Sequence, residues 1–573
     1  MSTASPTVTI ADCRLRDAAA VGHRATVRAR GGALIAILAF AATVNAEATT
    51  YYVATTGSDS NPGTQASPWR TIGKSAAFMG PGDTAIIAGG TYAEKVTVTK
   101  SGTAAAPIKF QAASGQKAII DGAMVSTGIY GSLWAFSSVS YVELDGLTIK
   151  NSQGFCVSLS GNSTHIGVGN LDVSNCAAAG AIWVEGSMVP SYSTFHDNKV
   201  HDNPHGGIVL WNSPGGYYLI ERNRVWNNAG GGNFDGIQVG GEAAGLHHVV
   251  VRNNVAYDNG TATVGADQID MGGHSAAHHY LLEGNDVWGV GGSIKIHGQP
   301  AQYTIARFNR ATGFGFNEYD RPNAPAIYNN SIYDAAHAVL FYSDYVDSGH
   351  GSSFGGMELR NNLFVDSRDY TLVVAAVSGG KIDVRRSSLK LDGNMYRFGS
   401  KGISWSPRSY NCGLPAPNGD MEFAAFQAAN APEVQDPRGK KTTAAATAIF
   451  ANPSARNYEL IAGSPAIDAG VELTTTKASG TQTTTVPVVR ASFFQDGYGG
   501  LIEPDQVKIG ANAPVAIISV DDVNNKIVVA TPISFASGAS VNLPFSGIAP
   551  DVGAFEFAAG LPAPSLLSVD PVP

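Results

Sequence analysis

The sequence predicts an all-β protein: a right-handed parallel β-helix, or solenoid, with an N-terminal cap and a C-terminal β-rich appendage. Three observations support this. A short phrase containing asparagine recurs about every 20 to 33 residues, apolar triplets with strand-like alternation follow it, and glycine occupies 67 of the 573 positions. Repeats of this length indicate a solenoid, in which each coil buries its apolar face against the next. The segments between copies are short, β-branched and bounded by Gly and Asn, which favours strands over helices.

The recurring phrase consists of an apolar pair, a polar residue, Asn and a further apolar residue. An asparagine at one corner of each coil predicts a ladder, in which each side-chain amide bonds the backbone and the asparagine of the next coil. Surface turns alone would not explain why these asparagines lie beside inward-facing aliphatic residues. The predicted ladder positions are Asn198, Asn223, Asn253 or Asn254, Asn285, Asn309, Asn329 or Asn330, Asn361 or Asn362, and Asn394.

A second column of apolar triplets lies just after these turns. Their outer members are apolar and the middle residue varies, so a strand would point the outer pair inward and the middle residue to solvent. Stacked as one parallel sheet, the triplets place Gln238, Asp270 and Lys295 above one another, about 4.8 Å apart per strand. An error of one residue in this register would exchange the inward-facing and outward-facing residues on every strand. The triplets are Ile182-Trp183-Val184, Ile208-Val209-Leu210, Ile237-Gln238-Val239, Ile269-Asp270-Met271 and Ile294-Lys295-Ile296.

The N-terminus predicts export. Residues 1–46 have the features of a secretory signal peptide, because arginines precede a short apolar run that ends at Phe40 and a V-x-A site follows at Ala46. An uncleaved anchor is the alternative, but the run is too short for a comfortable membrane span. We therefore expect a secreted, extracellular protein that does not associate with a membrane.

The rest of the chain divides into four parts. We expect residues 47–120 to form the cap and the first coils, with a short helix up to Met79 covering the open end of the solenoid. Residues 121–400 then form the main β-helix. Residues 401–556 form C-terminal coils with a β insertion, and residues 557–573 form a loose tail.

Charge and cysteine content narrow the possible partners. The net charge is −9, and no lysine- or arginine-rich block follows the first thirty residues. This argues against nucleic acid as a partner, since binding it requires a basic stripe.

Cys156 and Cys176 lie about one repeat apart, so they could form a disulfide or simply stack in the core. The cysteine spacing does not suggest zinc.

Three acidic residues interrupt the otherwise structural sheet. Asp235 and Asp267 occupy equivalent positions just before two consecutive strands, and Asp270 faces outward from the second strand. Three carboxylates that converge in this way repel one another unless a cation binds them. Oxygen ligands of this kind suit Ca²⁺. The alternative is that they are solvated turn aspartates beside glycine.

Lys295, one coil beyond Asp270, is the candidate general base. A simple ion pair across the sheet is the alternative. Proton abstraction next to a uronate carboxylate needs a neutral acceptor, and a nearby cation disfavours the ammonium form of lysine. The same cation would acidify the carbon-bound proton and let an acidic protein hold a polyanion.

Four further residues are candidates for substrate contact, and one of them is also suited to a structural role. Arg321 has a guanidinium that fits a carboxylate, although a surface turn before Pro322 explains it equally well. The four candidates are Gln238, His297, Asn317 and Arg321.

This constellation resembles the family 9 polysaccharide lyases, parallel β-helix enzymes that include pectate lyases. Asp235 matches that family's aspartate in a preceding turn. Asp267 and Asp270 match its following acidic cluster, and Lys295, within a Gly-x-x-Lys-x-x-Gly segment, matches its catalytic lysine. The resemblance covers most of residues 50–400. It implies a monomer that cleaves an acidic polysaccharide, pectate by default, through calcium-assisted β-elimination.

The sequence departs from that family's pattern at two places. Ala266 stands where the pattern has another aspartate, and the strand around Lys295 reads Ile-Lys-Ile-His instead of Phe-Lys-Leu-Gly. Both differences bear on which polymer is cut, so a lyase acting on another uronan or a glycosaminoglycan-like glycan is an alternative.

Two other classes of function fit the same fold. A glycoside hydrolase would need paired carboxylates acting as acid and base. A non-catalytic carbohydrate-binding surface protein would need only the solenoid. The change along the sheet from Val209 to Gln238, Asp270 and Lys295 favours the lyase, because a purely structural solenoid has no need of that run.

Overall fold

The computed structural model describes most of the chain from residue 48 onward. The predicted signal peptide and the predicted tail from residue 558 onward lie outside the described residues, as does Arg321. The described residues are 48–185, 191–211, 215–228, 234–240, 245–261, 266–273, 277–290, 293–298, 302–318, 325–343, 356–369, 371–376, 390–399, 402–405, 420–421, 423–428 and 436–557.

Within the described residues, three sheets of thirteen strands each form the body of the protein, which confirms the predicted right-handed parallel β-helix. Between the first and the last coil, each coil adds one strand to the first sheet, one to the third sheet and one to the site sheet, which is named for the functional residues that it carries. Neighbouring strands pair in parallel, apart from the last pair of the site sheet, which is antiparallel.

The first sheet consists of Thr50–Val53, Thr84–Ile87, Ile108–Ala112, Ser140–Asp145, Thr164–Gly169, Ser193–His196, Gly216–Glu221, His247–Arg252, His278–Glu283, Ile305–Arg307, Ala326–Tyr328, Glu358–Arg360 and Lys390–Asp392. The site sheet consists of Val96–Val98, Ser132–Ser137, Phe155–Ser160, Gly180–Glu185, Gly206–Trp211, Ile237–Gly240, Ile269–Gly273, Ile294–Gly298, Phe314–Glu318, Val339–Ser343, Leu372–Ala376, Ile403–Trp405 and Asp420–Met421. The third sheet consists of Gly90–Tyr92, Ala118–Asp121, Thr148–Ser152, Asp172–Cys176, Lys199–His201, Arg224–Trp226, Val255–Tyr257, Asp286–Trp288, Arg310–Ala311, Ser331–Tyr333, Leu363–Val365, Met395–Arg397 and Lys440–Lys441.

A helix over Ile72–Phe78 covers the N-terminal end of the solenoid, as predicted for the cap. Thr71 caps the helix by accepting a hydrogen bond from the backbone N–H of Lys74. Ile72 and Met79 are fully buried in the same apolar core as the first coils. A second helix spans Phe423–Ala428, and 3₁₀ turns span Gly122–Met124, Ala446–Ala448, Pro453–Ala455 and Tyr498–Gly500. Among the described residues, no helix is long and apolar enough to cross a membrane.

The predicted asparagine ladder is present inside the β-helix. Each side-chain N–H donates to the Oδ1 of the asparagine on the next coil, at 2.9 to 3.0 Å, and the ladder ends on the Asp436 carboxylate. Where the sequence offers two adjacent asparagines, the second one joins the ladder. The members are Asn198, Asn223, Asn254, Asn285, Asn309, Asn330, Asn362 and Asn394. Cys156 and Cys176 form a disulfide, which resolves the two possibilities that the sequence left open.

The C-terminal residues form a further sheet, the C-terminal sheet, which is antiparallel and packs against the outer face of the first sheet. Leu281 and Ile305 of the β-helix are buried in one apolar cluster with Phe493 and Ile517 of the C-terminal region. Arg307 also crosses this interface and makes two hydrogen bonds to Asp505. The strands of the sheet, in spatial order, are Thr474–Thr475, Ser540–Asn542, Gln506–Ile509, Val515–Asp521, Lys526–Phe535 and Gly480–Pro487. A separate hairpin joins Phe450–Asn452 to Asn457–Leu460.

Candidate functional site

Gln238, Asp270 and Lys295 lie on consecutive strands of the site sheet, in direct register. The flanking residues of each triplet, such as Ile269 and Met271, are buried in the core of the β-helix. The alternation of the strand therefore turns the three middle residues to the outer face of the sheet. This confirms the register predicted from the triplets.

The three aspartates converge beside this column. Asp235, Asp267 and Asp270 each offer a carboxylate oxygen within 4.8 Å of the others. Asp235 and Asp270 are almost fully buried, at 4% and 2% exposure, and the Asp235 Oδ1 accepts a hydrogen bond of 2.6 Å from the backbone N–H of Asp267. Burial, and then the charges of Asp270 and Asp267, raise the pKa of Asp235 well above its ordinary value. Loss of the Asp235 proton is therefore disfavoured unless positive charge lies near the cluster.

Lys295 contacts two of these carboxylates. Its Nζ lies 3.6 Å from the Asp267 Oδ2 and 3.8 Å from the Asp270 Oδ2. The lysine side chain is 22% exposed, so it remains accessible from solvent beside a nearly closed acidic cluster. The site sheet thus places one amine beside two of the three clustered carboxyl groups.

Gln238 contributes a further oxygen on the coil before Asp270. The side chain is 7% exposed, and its Oε1 has no hydrogen-bond partner within the described parts of the chain. A buried amide oxygen without a partner costs free energy, so a cation or a substrate hydroxyl would be a favourable ligand for it.

A second ladder, which the sequence did not predict, holds the acidic coil in place. The amide of Asn203 donates to Asn228, Asn228 donates to Asn259, and Asn259 donates to the Gln268 Oε1 at 2.9 Å. Gln268 is fully buried and lies between Asp267 and Ile269, so the ladder fixes the backbone that carries two of the three aspartates. The available signal was a second asparagine about five residues after the first, at Asn203, Asn228 and Asn259.

Close backbone packing also positions Asp235. A Cβ added at Gly236 would lie 2.5 Å from the Asn259 Nδ2 and 2.7 Å from the backbone oxygen of Gln268. A side chain at this position would push the Asp235 coil away from the next one, which explains the Asp-Gly sequence.

The remaining candidates are only partly placed. His297 and Asn317 pair with each other on the two strands after Asp270, so their backbones adjoin the Lys295 site. Their side chains are not among the described parts of the structure. Arg321, outside the described residues, remains a prediction from the sequence.

Comparison with known proteins gives a family and several similar structures. The pectate lyase Pel9A is 16% identical, with a TM-score of 0.41, over 89% of this chain and 96% of that one. XylC in complex with xylose is 12% identical, with a TM-score of 0.48, over 88% and 99%. An alginate lyase from Paenibacillus sp. str. FPU-7 is 14% identical, with a TM-score of 0.36, over 61% and 99%.

A curated relative is the uncharacterized protein YwoF of Bacillus subtilis, which is 28% identical over 250 residues. The match covers 41% of this chain and 46% of that protein, so the chain spans about half the length of this relative. A family model described as the right-handed β-helix region of Pel9A-like proteins matches residues 51–349, more than half of the 573 residues. The chain therefore belongs to the family of Pel9A-like right-handed β-helix proteins.

Proposed function

We propose that this protein is a secreted polysaccharide lyase of family 9 that cleaves pectate or a related uronate polymer by calcium-assisted β-elimination. The observation that carries the proposal is the position of Lys295. Its amine lies within 4 Å of Asp267 and Asp270, in a cluster completed by Asp235, on the outer face of one sheet. Membership of the Pel9A-like family and the match of these residues to a lyase pattern support the same assignment.

The acidic cluster fits a calcium ion. Asp235, Asp267 and Asp270 supply hard oxygen donors close together, and Gln238 offers a buried amide oxygen on the strand that pairs with Asp270. Ca²⁺ takes six to eight oxygen ligands, including carboxylates and amide carbonyls. When bound, the ion would supply positive charge that holds the uronate carboxylate and acidifies the neighbouring carbon-bound proton.

Lys295 would act as the base. Its ion pairs with Asp267 and Asp270 favour the protonated amine as long as the cluster keeps its negative charge. Once that charge is neutralised, the amine can lose its proton and accept the one next to the uronate carboxylate. The electron pair of the broken C–H bond then forms a carbon–carbon double bond. The bond to the glycosidic oxygen breaks, and this oxygen leaves with a proton from water.

The identity of the uronate polymer is the second part of the proposal. Pectate is the first substrate to test, because the matching lyase pattern belongs to a group that includes pectate lyases. Ala266 and the Ile-Lys-Ile-His strand depart from that pattern, so an alginate-like or glycosaminoglycan-like uronan is the second candidate. We expect the enzyme to act as an exported monomer that binds neither nucleic acid nor a membrane.

Ultraviolet absorbance of polygalacturonate tests the proposal, because elimination leaves a conjugated unsaturated uronide and hydrolysis does not. We expect absorbance to rise in the presence of calcium and to stop rising when a chelator is added. In Lys295→Ala the rate of this rise should be about a thousandfold lower, the size of a general-base contribution. Lys109→Ala is a matched control, since Lys109 pairs with Glu143 on the first sheet. A flat trace for folded wild-type protein on a panel of uronans would contradict the proposal and favour a binding protein.

A further inference from the structure

Four aromatic side chains cluster on the outer face of the site sheet, in the coils that precede the acidic cluster. We call this cluster the aromatic platform; its members are Phe155, Trp183, Trp211 and Phe234. Phe155 stacks on Trp183 at 5.1 Å, and Trp183 lies 6.4 Å from Trp211. Phe234 meets Trp211 edge-on at 5.6 Å. Such geometry is typical of stable aromatic clusters.

The platform is continuous with the candidate active site. Trp183 pairs with Val209, and Val209 pairs with Gln238, so the indole belongs to the same outward column as Asp270 and Lys295. Trp211 lies three strands before Lys295, a distance of about 14 Å along the β-helix axis. Phe234 directly precedes Asp235 in the chain. One end of the aromatic platform therefore adjoins the acidic cluster.

Glycines keep the surface low between the platform and Lys295. Trp211 pairs with Gly240 on the next strand, and a Cβ at Gly240 would lie 3.0 Å from the Cα of Gly272 on the strand after that. Gly272 in turn pairs with His297. The two strands that follow Trp211 thus raise no side chain at this position.

The platform has a buried floor and an accessible surface. Phe155 and Trp183 are 7% and 6% exposed, and the Trp183 Nε1 donates a hydrogen bond of 3.1 Å to the Glu185 carboxylate, which fixes the indole. Trp211 and Phe234 are only half-buried. Fixed rings with free surface suit a ligand that presents a flat apolar face.

We propose that the aromatic platform binds sugar rings of the substrate, so that the polysaccharide runs along the β-helix axis from Trp211 to Lys295. The inference rests on the proposed function for its substrate class. A pyranose ring carries C–H groups on its faces, and these pack against the electron-rich face of an indole. The platform would thus hold rings by their faces, several coils before the point at which the acidic cluster and Lys295 hold a uronate carboxylate.

Calorimetric titration with uronate oligosaccharides tests this proposal in Lys295→Ala protein, which keeps the ligand intact. Adding Trp211→Ala should weaken binding of a hexasaccharide by about tenfold or more, the effect of truncating a central aromatic contact. Binding of a disaccharide should not change, because it is too short to reach the platform from the Lys295 site. Trp226→Ala is the control, since Trp226 is also half-buried but stacks with His201 and Tyr257 on the third sheet.

Equal hexasaccharide affinity with and without Trp211 would overturn the proposal, even if the Trp211→Ala variant proved less stable, since the platform would then be only a local core. Failure of the proposed function gives a different pattern. If no unsaturated product forms but hexasaccharide binding depends on Trp211, the platform stands and the lyase assignment falls. If product forms at the same rate on long chains in Trp211→Ala, the lyase stands and the platform falls.

Discussion

On the same coils of the β-helix, two sheets carry opposite chemistry on their outer faces. The site sheet presents an amine, carboxylates and an amide, whereas the first sheet presents aliphatic side chains that are fully buried under the C-terminal sheet. The site-sheet positions are Gln238, Asp270 and Lys295, and the first-sheet positions on the same coils are Val250, Leu281 and Ile305.

The inner faces of the two sheets do not differ in this way. Ile269 and Met271 of the site sheet and Tyr280 and Leu282 of the first sheet are all buried in one core. Stacking of the coils therefore constrains the inward residues of both sheets, while the outward residues depend on what covers them. In this protein the outer face of the site sheet carries charges that repel one another, and the covered face of the first sheet, under the C-terminal sheet, contributes to stability.

Asp270→Asn should separate function from stability most strongly. We expect calcium binding to weaken and lyase activity to fall about a thousandfold, as when a preorganised charge is removed from an active site. In a chelator, the free energy of unfolding should stay unchanged or rise, because the substitution relieves repulsion with Asp235 and Asp267. Activity assays, calcium titration and denaturant unfolding measure the three quantities.

Leu281→Ala, on the same coil, is the matched variant for the covered face. It should lower the free energy of unfolding by about 3 kcal/mol through the cavity that it leaves, while calcium affinity stays at the wild-type value. Weaker calcium binding in Leu281→Ala, or a loss of stability in a chelator in Asp270→Asn, would show that the two faces are coupled, contrary to this view.

Arg307→Met should have the next largest effect, on stability alone. The Arg307 guanidinium is 4% exposed and contacts Asp505, Glu283 and the Tyr328 hydroxyl. Removing it leaves the buried Asp505 carboxylate without its cation, so we expect a loss of about 3 kcal/mol in denaturant unfolding.

Arg252→Met is the control for that variant. Arg252 pairs with Glu221 on the same sheet but is 25% exposed, so its loss should cost less than about 1 kcal/mol. Equal losses for the two arginines would mean that contact with the C-terminal sheet adds nothing to the ion pair.

Structural features that recur on every coil could be predicted from the sequence, whereas contacts that occur only once could not. The ladder from Asn198 to Asn394 and the register of Asp270 with Lys295 follow from patterns that recur on every coil. The contact between Arg307 and Asp505 joins residues 198 positions apart and has no repeating signal. The choice between a disulfide and simple stacking for Cys156 and Cys176 required the geometry of the sheet.

The candidate site shows the same limit of prediction from the sequence. Asp270 and Lys295 could be identified because they replace an apolar residue in a regular column, and Asp235 and Asp267 because they occupy equivalent positions just before two consecutive strands. Gln268 was missed, because its role depends on a buried ladder that reaches it from Asn259 of the same coil. The aromatic platform was missed too, since Trp211 and Phe234 lie just outside the triplets that define the column.

Lowering the pH should reduce the stability of the protein through histidines of the first sheet, by a smaller amount than the substitutions above. His248 contacts Tyr498 of the C-terminal region, and His278 contacts His248. Burial, and then the neighbouring His279, lower the pKa of His248 to about 3 and that of His278 to about 4. An unfolded histidine takes up a proton near pH 6.5, whereas these stay neutral in the folded protein. Stability should therefore fall as the pH drops from 6.5 towards 4.

Thermal unfolding of His278→Gln and His201→Gln at pH 7 and pH 5 checks the direction of this pH dependence of stability. His278→Gln should lose less stability than wild type between the two values, by about 1 kcal/mol after allowance for solvent screening of this half-exposed group. His201, on the third sheet, has the opposite behaviour: burial opposes the shift, but hydrogen bonds with Asp172 and Asp202 raise its pKa, so its contribution is present at low pH and lost as the pH rises. His201→Gln should therefore lose more stability on acidification than wild type. If both variants shifted in the same direction, the acid response would come from elsewhere in the chain and not from the interface with the C-terminal sheet.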